Sequence, residues 1–529
     1  MFKNLAYFNR YTFILPFIFL FLERMSAQEK YWIYFKDKSG SSFDPYQYFD
    51  AKAIERRIKL GISLFDSTDF PLNEKYISEI ERVSGSNVNS SRWLNAVSVL
   101  LNEDQLVQVT KFKFVRNIEK CLELKMHPAG DYDTILKTDD RKLLAFQINR
   151  MQGDIFYQNG FNGKGIRIAV FDAGFPLVDK LPVFQHLVKN RQIKASWDFA
   201  RKKPDVYLGN PHGTMVLSCI TGILNNNRMG IATGSEFLLA RTEVDRESQI
   251  EEEYWLQAAE WADKNGADII NSSIGYTFER YYTYEMDGKT SLIAKAANLA
   301  ANKGILVICA MGNDGNADWK ILGTPADADS VMSVGAISPI TDFHAGYSSF
   351  GPTAGYKLKP NVVAPGKLIV AGKSSLERVE GTSFATPILT GFAACAWQSM
   401  PFLTNMQLFE KIEQSAHLFP YFDYAHGYGV PQASFFVQPG KKIEQEPTFD
   451  FVIKNDTLFI EVIEKFIDKK NLRNTNYLYY HIENNDGYLE AYWLIDVFLK
   501  NAVNLNLNEW PEGKVIRAHF RGFTNEIKL

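Results

Sequence analysis

Four short segments carry side chains that together could move an acyl group to water. Ala169-Val170-Phe171-Asp172-Ala173-Gly174 offers an acid and His212-Gly213-Thr214 a base. Gly381-Thr382-Ser383-Phe384-Ala385-Thr386-Pro387 offers a hydroxyl nucleophile, and Ala310-Met311-Gly312-Asn313-Asp314-Gly315 a side-chain amide. A serine hydroxyl is a weak nucleophile at its own pKa and needs a neighbouring base. His212 suits that role and can return the proton to a leaving amine. Asp172 would hold the imidazole tautomer and stabilise the imidazolium. The Asn313 amide and the Ser383 backbone N–H would meet the negative oxygen of a tetrahedral intermediate. Each segment alone is a weak signal: His-Gly-Thr commonly opens a helix, and Asn-Asp-Gly is a turn signal. Their joint occurrence, in this order and at the ends of strands and helices, is what carries information.

The elements needed to position these groups are legible. Residues 166–171, 268–271, 305–310 and 331–334 are continuous apolar runs, as expected of parallel strands buried on both faces. Helical patterns at 250–264 and 291–302 alternate with them, which predicts an open α/β sheet. In such sheets sites form at the carboxyl ends of strands. Asp172 ends one run, His212 opens an apolar helical stretch, and Ser383 opens another with Pro387 early in it.

Before this region, the order is strand 31–35, helix 73–83, strand 93–101, helix 103–112 and strand 114–118, close to βαββαβ. Residues 121–147, with Asp131, Asp133, Asp139, Asp140 and Arg141, read as a polar connection. After Pro439-Gly440-Lys441-Lys442 the pattern becomes period-two: Phe449, Phe451 and Ile453, then Leu458, Ile460 and Val462, with a turn at Lys454-Asn455-Asp456-Thr457. Residues 445–529 therefore read as a small β-sandwich.

Bulk properties bound the rest. A chain of 529 residues has a length prior of roughly three domains. A net charge of -3 argues for neither nucleic acid nor an anionic membrane surface as a partner. Four cysteines are too few for a disulfide scaffold in a chain this long; Cys219, Cys309 and Cys395 fall in apolar stretches and read as buried thiols, and none, Cys121 included, has zinc-ligand spacing. Lys3 and Arg10, a 12-residue apolar run at 11–22 and Met25-Ser26-Ala27 have the form of a cleaved secretory signal, 1–27. An uncleaved anchor is the rival reading.

With these motifs on the page, the chain resembles the subtilisin-like serine proteases (subtilases) over roughly 148–436. The resemblance extends to Ile270-Asn271-Ser272-Ser273-Ile274-Gly275 and Val362-Val363-Ala364-Pro365-Gly366. It implies a subtilisin-like α/β fold: an open parallel sheet with helices on both faces, preceded by a ferredoxin-like α+β propeptide at 28–120 and an activation region at 121–147, and followed by the sandwich. It further implies that Ser273, Ile274 and Gly275 pair with the substrate backbone, and that Gly312 lines the pocket for the residue before the scissile bond. The expected partners are polypeptide substrates and the chain's own propeptide as intramolecular inhibitor, with no nucleic acid and no stable membrane insertion once the signal is cut. The expected location is secreted or extracytoplasmic. The C-terminal segment is similar to sorting domains of secreted Bacteroidetes-type proteins, and a stabilising module is an equal alternative.

Two departures stand out. Phe384 replaces the family's usual Met after the nucleophile, removing an oxidisable sulfur. Leu224-Asn225-Asn226-Asn227-Arg228-Met229-Gly230 resembles a structural-calcium loop of some relatives but has an extra residue and an Arg; it reads as a polar turn, and no metal or other cofactor is assigned. Asp245, Glu247, Glu251, Glu252 and Glu253 are expected to be a solvated helix N-terminus, with a preference for basic substrate residues as the rival. The expected function is a secreted serine endopeptidase acting through an acyl-enzyme. A specialised maturation protease with few targets, or a non-catalytic binding protein on a protease fold, stay open.

Overall fold

The computed structural model describes residues 28–121, 138–244, 250–278, 280–372, 375–438, 446–469, 476–498, 502–510 and 513–529. The expected signal segment, most of the activation region, Asp245 and Glu247 lie outside the described residues.

Seven parallel strands form the central sheet, in the order Val362–Pro365, Val331–Ile337, Leu306–Ala310, Ile269–Ser272, Arg167–Asp172, Glu236–Arg241, Ile193–Asp198. Alternate side chains of the strands at the middle of the sheet enter different cores, as a pleated backbone requires. Ile168 and Val170 pack with the helices His212–Thr221 and Thr382–Ser399 on one face, while Ala169 and Phe171 pack with the helices Ile250–Lys264 and Leu292–Asn302 on the other. Both faces are covered, which is why these strands read as unbroken apolar runs. This is the α/β fold expected from the sequence; Ile193–Asp198 and Glu236–Arg241 are strands that the reading did not single out.

The N-terminal segment forms a four-stranded antiparallel sheet in the order Asn89–Ser91, Ala96–Leu101, Glu29–Phe35, Val115–Lys120. One face carries the helices Glu74–Ser84 and Glu103–Thr110 over a small core of Ile33, Phe35, Ile80, Val97, Val99 and Val109. The other face presents Trp32 and Trp93 to the core around Ile250–Lys264 and Leu292–Asn302. An unexpected helix, Ala51–Lys59, precedes these and reaches the same surface.

That contact corrects the expectation for the acidic run. Glu251, Glu252 and Glu253 are buried, not solvated. Arg280 donates to Glu251 (2.8 Å) and the Tyr281 hydroxyl to Glu252 (2.6 Å). Glu253 accepts from Lys30 (2.8 Å) and the Ser98 hydroxyl (2.8 Å) of the N-terminal sheet. A carboxylate at this helix start is retained in the interior because fixed cationic and hydroxyl donors replace its water.

The C-terminal segment is a sandwich. A three-stranded sheet (Phe449–Lys454, Thr457–Val462, Ala502–Asn506) faces a four-stranded sheet (Leu489–Asp496, Tyr477–Glu483, Val515–Phe520, Phe523–Lys528). Asn455 takes φ 53° in the expected turn between the first two strands. Among the described residues no helix is long and apolar enough to cross a membrane.

Candidate active site

Parallel strands deliver their carboxyl ends to one edge of the sheet, and the helices that follow start there. Asp172 is the last residue of Arg167–Asp172, and His212 the first of the helix His212–Thr221. Ser383 is the second residue of Thr382–Ser399, and Asn313 follows the strand Leu306–Ala310. All four residues are thereby gathered from points up to 211 positions apart in sequence, and His212, Asn313 and Ser383 line one open cleft of about 510 Å³. Pro387 sits in the second turn of its helix, beyond the early position expected, and having no N–H it releases the Ser383 carbonyl from the helical ladder.

His212 Nδ1 lies 2.9 Å from Asp172 Oδ1 and 3.1 Å from Oδ2. Asp172 is buried behind it and accepts a further bond from the Ala173 N–H (2.8 Å). Gly213 allows this approach: a Cβ there would stand 2.9 Å from Asp172 Cβ and 2.4 Å from the Gly174 carbonyl oxygen. Burial works against a charge on His212, but the charge of Asp172, its hydrogen bond and the nearby Glu243 outweigh it and raise the imidazole to about 9. Among the described residues no hydrogen bond joins His212 to Ser383. The Phe384 ring packs beside His212, centroids 5.3 Å apart.

Asn313 is oriented by Thr382. Its Oδ1 accepts from the Thr382 backbone N–H (2.9 Å) and hydroxyl (3.0 Å). The backbone N–H can only donate, so the oxygen must face Thr382 and the NH2 group must face the other way. Gly312, at φ 110°, lets the chain turn between strand and amide; a Cβ there would stand 2.8 Å from Ser349 Oγ. The Ser383 N–H belongs to the first turn of its helix, where N–H groups have no helical partner.

Ser273, Ile274 and Gly275 continue past the strand Ile269–Ser272 along the wall of the cleft, as do Tyr276 and Thr277. Gly275 is exposed. Tyr276 then pairs with Thr324 through two backbone bonds (3.0 and 3.1 Å). Thr382 and Glu243 are site residues that the sequence reading did not single out. Thr382 was hidden inside the serine motif, and nothing local marks Glu243.

The segment 224–230 folds as a hairpin. Asn225 and Asn226 take φ 48° and 62° at its tip, and Arg228 donates to Asp154 (2.6 Å) with its guanidinium over the Tyr157 ring.

Comparison with known proteins bears on this geometry. The family model "Subtilase family" matches residues 163–429, half of the chain. The chain belongs to the subtilases. A second model, "Peptidase S8 propeptide domain, Bacteroidota", matches residues 30–132 of this subtilase. It is 27% identical over 347 residues to alkaline elastase YaB of Bacillus sp. (strain YaB), covering 64% of the chain and 82% of that protein. It is 28% identical over 273 residues to subtilisin BL of Lederbergia lenta, covering 51% and 90%. Among solved structures, Sphericase aligns with a TM-score of 0.43 at 26% identity, covering 51% of this chain and 92% of that one. The subtilase is thus a serine-type endopeptidase with an N-terminal propeptide, acting on peptide substrates.

Proposed function

We propose that Ser383 attacks the peptide carbonyl while His212 takes its proton, Asp172 holding the imidazole, and that the acyl-serine formed is then hydrolysed. The tetrahedral oxyanion is met by Asn313 Nδ2 and the Ser383 N–H. The observation that carries this reading is the orientation of Asn313: Thr382 takes its oxygen, which turns a pair of N–H donors into the cleft beside the serine. Electrostatic donors fixed before the reaction need no reorganisation when the charge appears. The substrate backbone is read as an added strand on Ser273, Ile274 and Gly275, with Gly312 lining the pocket for the residue before the cut. No metal takes part in this reading. At 224–230, the cation on the carboxylate of Asp154 is Arg228.

The protein is read as a secreted or extracytoplasmic enzyme held latent until cut within 121–147. The buried contacts of Glu253 with the N-terminal sheet favour tight retention of the propeptide.

The test compares the native chain with Ser383→Ala. The native chain is expected to cut itself between residues 121 and 147 and to react with a serine-directed fluorophosphonate; the variant is expected to do neither. Two intact, unlabelled proteins would overturn the assignment and favour a binding protein on a protease fold.

A further inference from the structure

The wall of the cleft does not end at Thr277. Beyond it, residues 280–285 have a firmly held base and, with Phe278, expose three aromatic side chains. At the base, the Arg280 guanidinium lies 3.6 Å from the Tyr276 ring centroid and pairs with Glu251 (2.8 Å) and Glu252 (3.6 Å). Tyr281 packs against the core and donates to Glu252. The Tyr282 N–H is held by Glu285 (2.8 Å), closing a single tight turn over Thr283–Glu285. Against this anchored base, Phe278, Tyr282 and Tyr284 are 61%, 66% and 69% exposed. The rings of Tyr282 and Tyr284 are parallel, 6° apart in plane with centroids 5.4 Å apart. Three large aromatic side chains turned to water on a loop pinned by buried ion pairs mark a surface that meets something.

We propose that this aromatic face is a remote substrate-binding surface, which takes apolar or aromatic side chains of a polypeptide several residues before the scissile bond. The occupant follows from continuity. Ser273 to Thr277 line the same cleft as His212 and Ser383, and Phe278 is the next residue outward. A polypeptide paired along Ser273–Gly275 and longer than the cleft runs onto Phe278, Tyr282 and Tyr284. The rigid base lowers the ordering cost of binding there, and flat rings offer contact area with few torsions to fix. This inference rests on the reading of Ser273–Gly275 as the substrate strand. It goes beyond that reading by giving the enzyme a preference set outside the cleft.

The experiment uses the full chain after self-processing and two series of peptides with one cleavage site. Short peptides carry three residues before the cut. Long peptides carry eight, with either Phe or Ser at the outermost four. The native enzyme is expected to cut the Phe-bearing long peptides about tenfold better in kcat/KM than the Ser-bearing ones, with the gain in KM; tenfold corresponds to about 1.4 kcal/mol, within what one aromatic contact supplies. In Tyr282→Ser/Tyr284→Ser that gain is expected to vanish, the loss being confined to long peptides. A gain that persists in the variant, or an equal loss on short and long peptides, overturns the proposal. Fluorophosphonate labelling separates the two failures. A labelled enzyme showing no Phe gain sinks this surface alone. An enzyme neither labelled nor active on any peptide sinks the active-site reading and this inference with it.

Discussion

Thr382 and Asn313 illustrate how one hydroxyl and one backbone N–H set the direction of a side-chain amide in the cleft. Replacing Asn313 by Leu keeps the branching at Cγ and removes the donor. In a subtilisin, loss of one such donor costs about 10²–10³ in kcat. That magnitude, carried over from the relative, is the expectation for Asn313→Leu, with KM little changed; a kcat within threefold of native would contradict the role. His212 allows a pH prediction. Its pKa is raised to about 9, so below that pH the imidazole keeps its proton and is no base. The rate constant kcat/KM should therefore climb about tenfold per pH unit up to about 9 and then level. The same shift means that the Asp172–His212 pair stabilises the fold fully below pH 6.5 and loses that contribution as pH rises through about 9. Asp172→Asn removes the main raising influence, so the kinetic midpoint should move to lower pH along with a lower plateau. A midpoint that stays put would show that Asp172 does not set it. Asp172, His212, Asn313 and Ser383 were visible in the sequence, because each sits in a motif that a strand end or helix start demands. Thr382 and Glu243 were not, because their importance lies in what they touch.

At the scale of elements, the helix Ala51–Lys59 was the largest omission. Its sequence carries Arg56, Arg57 and Lys59 in the last turn. In the fold, Arg57 donates to Asp263 (2.6 Å) and Asp69 (2.7 Å), and Arg56 pairs with Asp263, all within the buried contact between the N-terminal segment and Ile250–Lys264. Lys303 completes the cluster on Asp66 (2.7 Å) and Asp69 (3.1 Å). Apart from Arg57 and Asp69, the partners lie more than 200 residues apart, so no local pattern could announce the burial. Removing one member of a buried pair leaves the other uncompensated, at about 3–5 kcal/mol. In a Ser383→Ala background, Asp263→Ala should open the N-terminal segment to limited trypsin digestion at least a hundredfold faster than Ser383→Ala alone. Equal rates would show that these pairs do not hold the propeptide down. Four of the seven central strands, by contrast, were read to within three residues at each end, since burial on both faces leaves a continuous apolar run.

Across the whole molecule, histidines collect where the sandwich meets the peptidase domain. His344, His417 and His426 come from one side, and His481 and His519 from the other. Tyr421 stacks on His481 (4.9 Å), His426 packs edge-on to Tyr479, and the His481 Nδ1–H donates to the Phe422 carbonyl (2.6 Å). The charged groups facing them are Asp423 on His426, Arg150 beside His417, and Glu483, itself held by Arg517, near His481. Burial lowers His344 and His519 to about 4 and holds His417 well below the ordinary histidine value. A histidine with a depressed folded pKa supports stability above about 6.5 and loses it as pH falls towards 4, because the undocked form binds protons first. The junction should therefore loosen between pH 6.5 and 4, seen as faster proteolysis between residues 436 and 449, and His519→Gln should weaken that pH dependence. A cleavage rate flat over this range would contradict it. None of this junction was legible, since aromatic and histidine side chains in separate segments carry no periodic signature. The serine-peptidase class, the parallel sheet and the order of segments were legible in the sequence alone, because short motifs, local periodicity and the residues at element ends encode them. Tertiary structure alone decided which acids are buried, which way the Asn313 amide points and which aromatic rings are left in water, because each depends on partners far away in the chain.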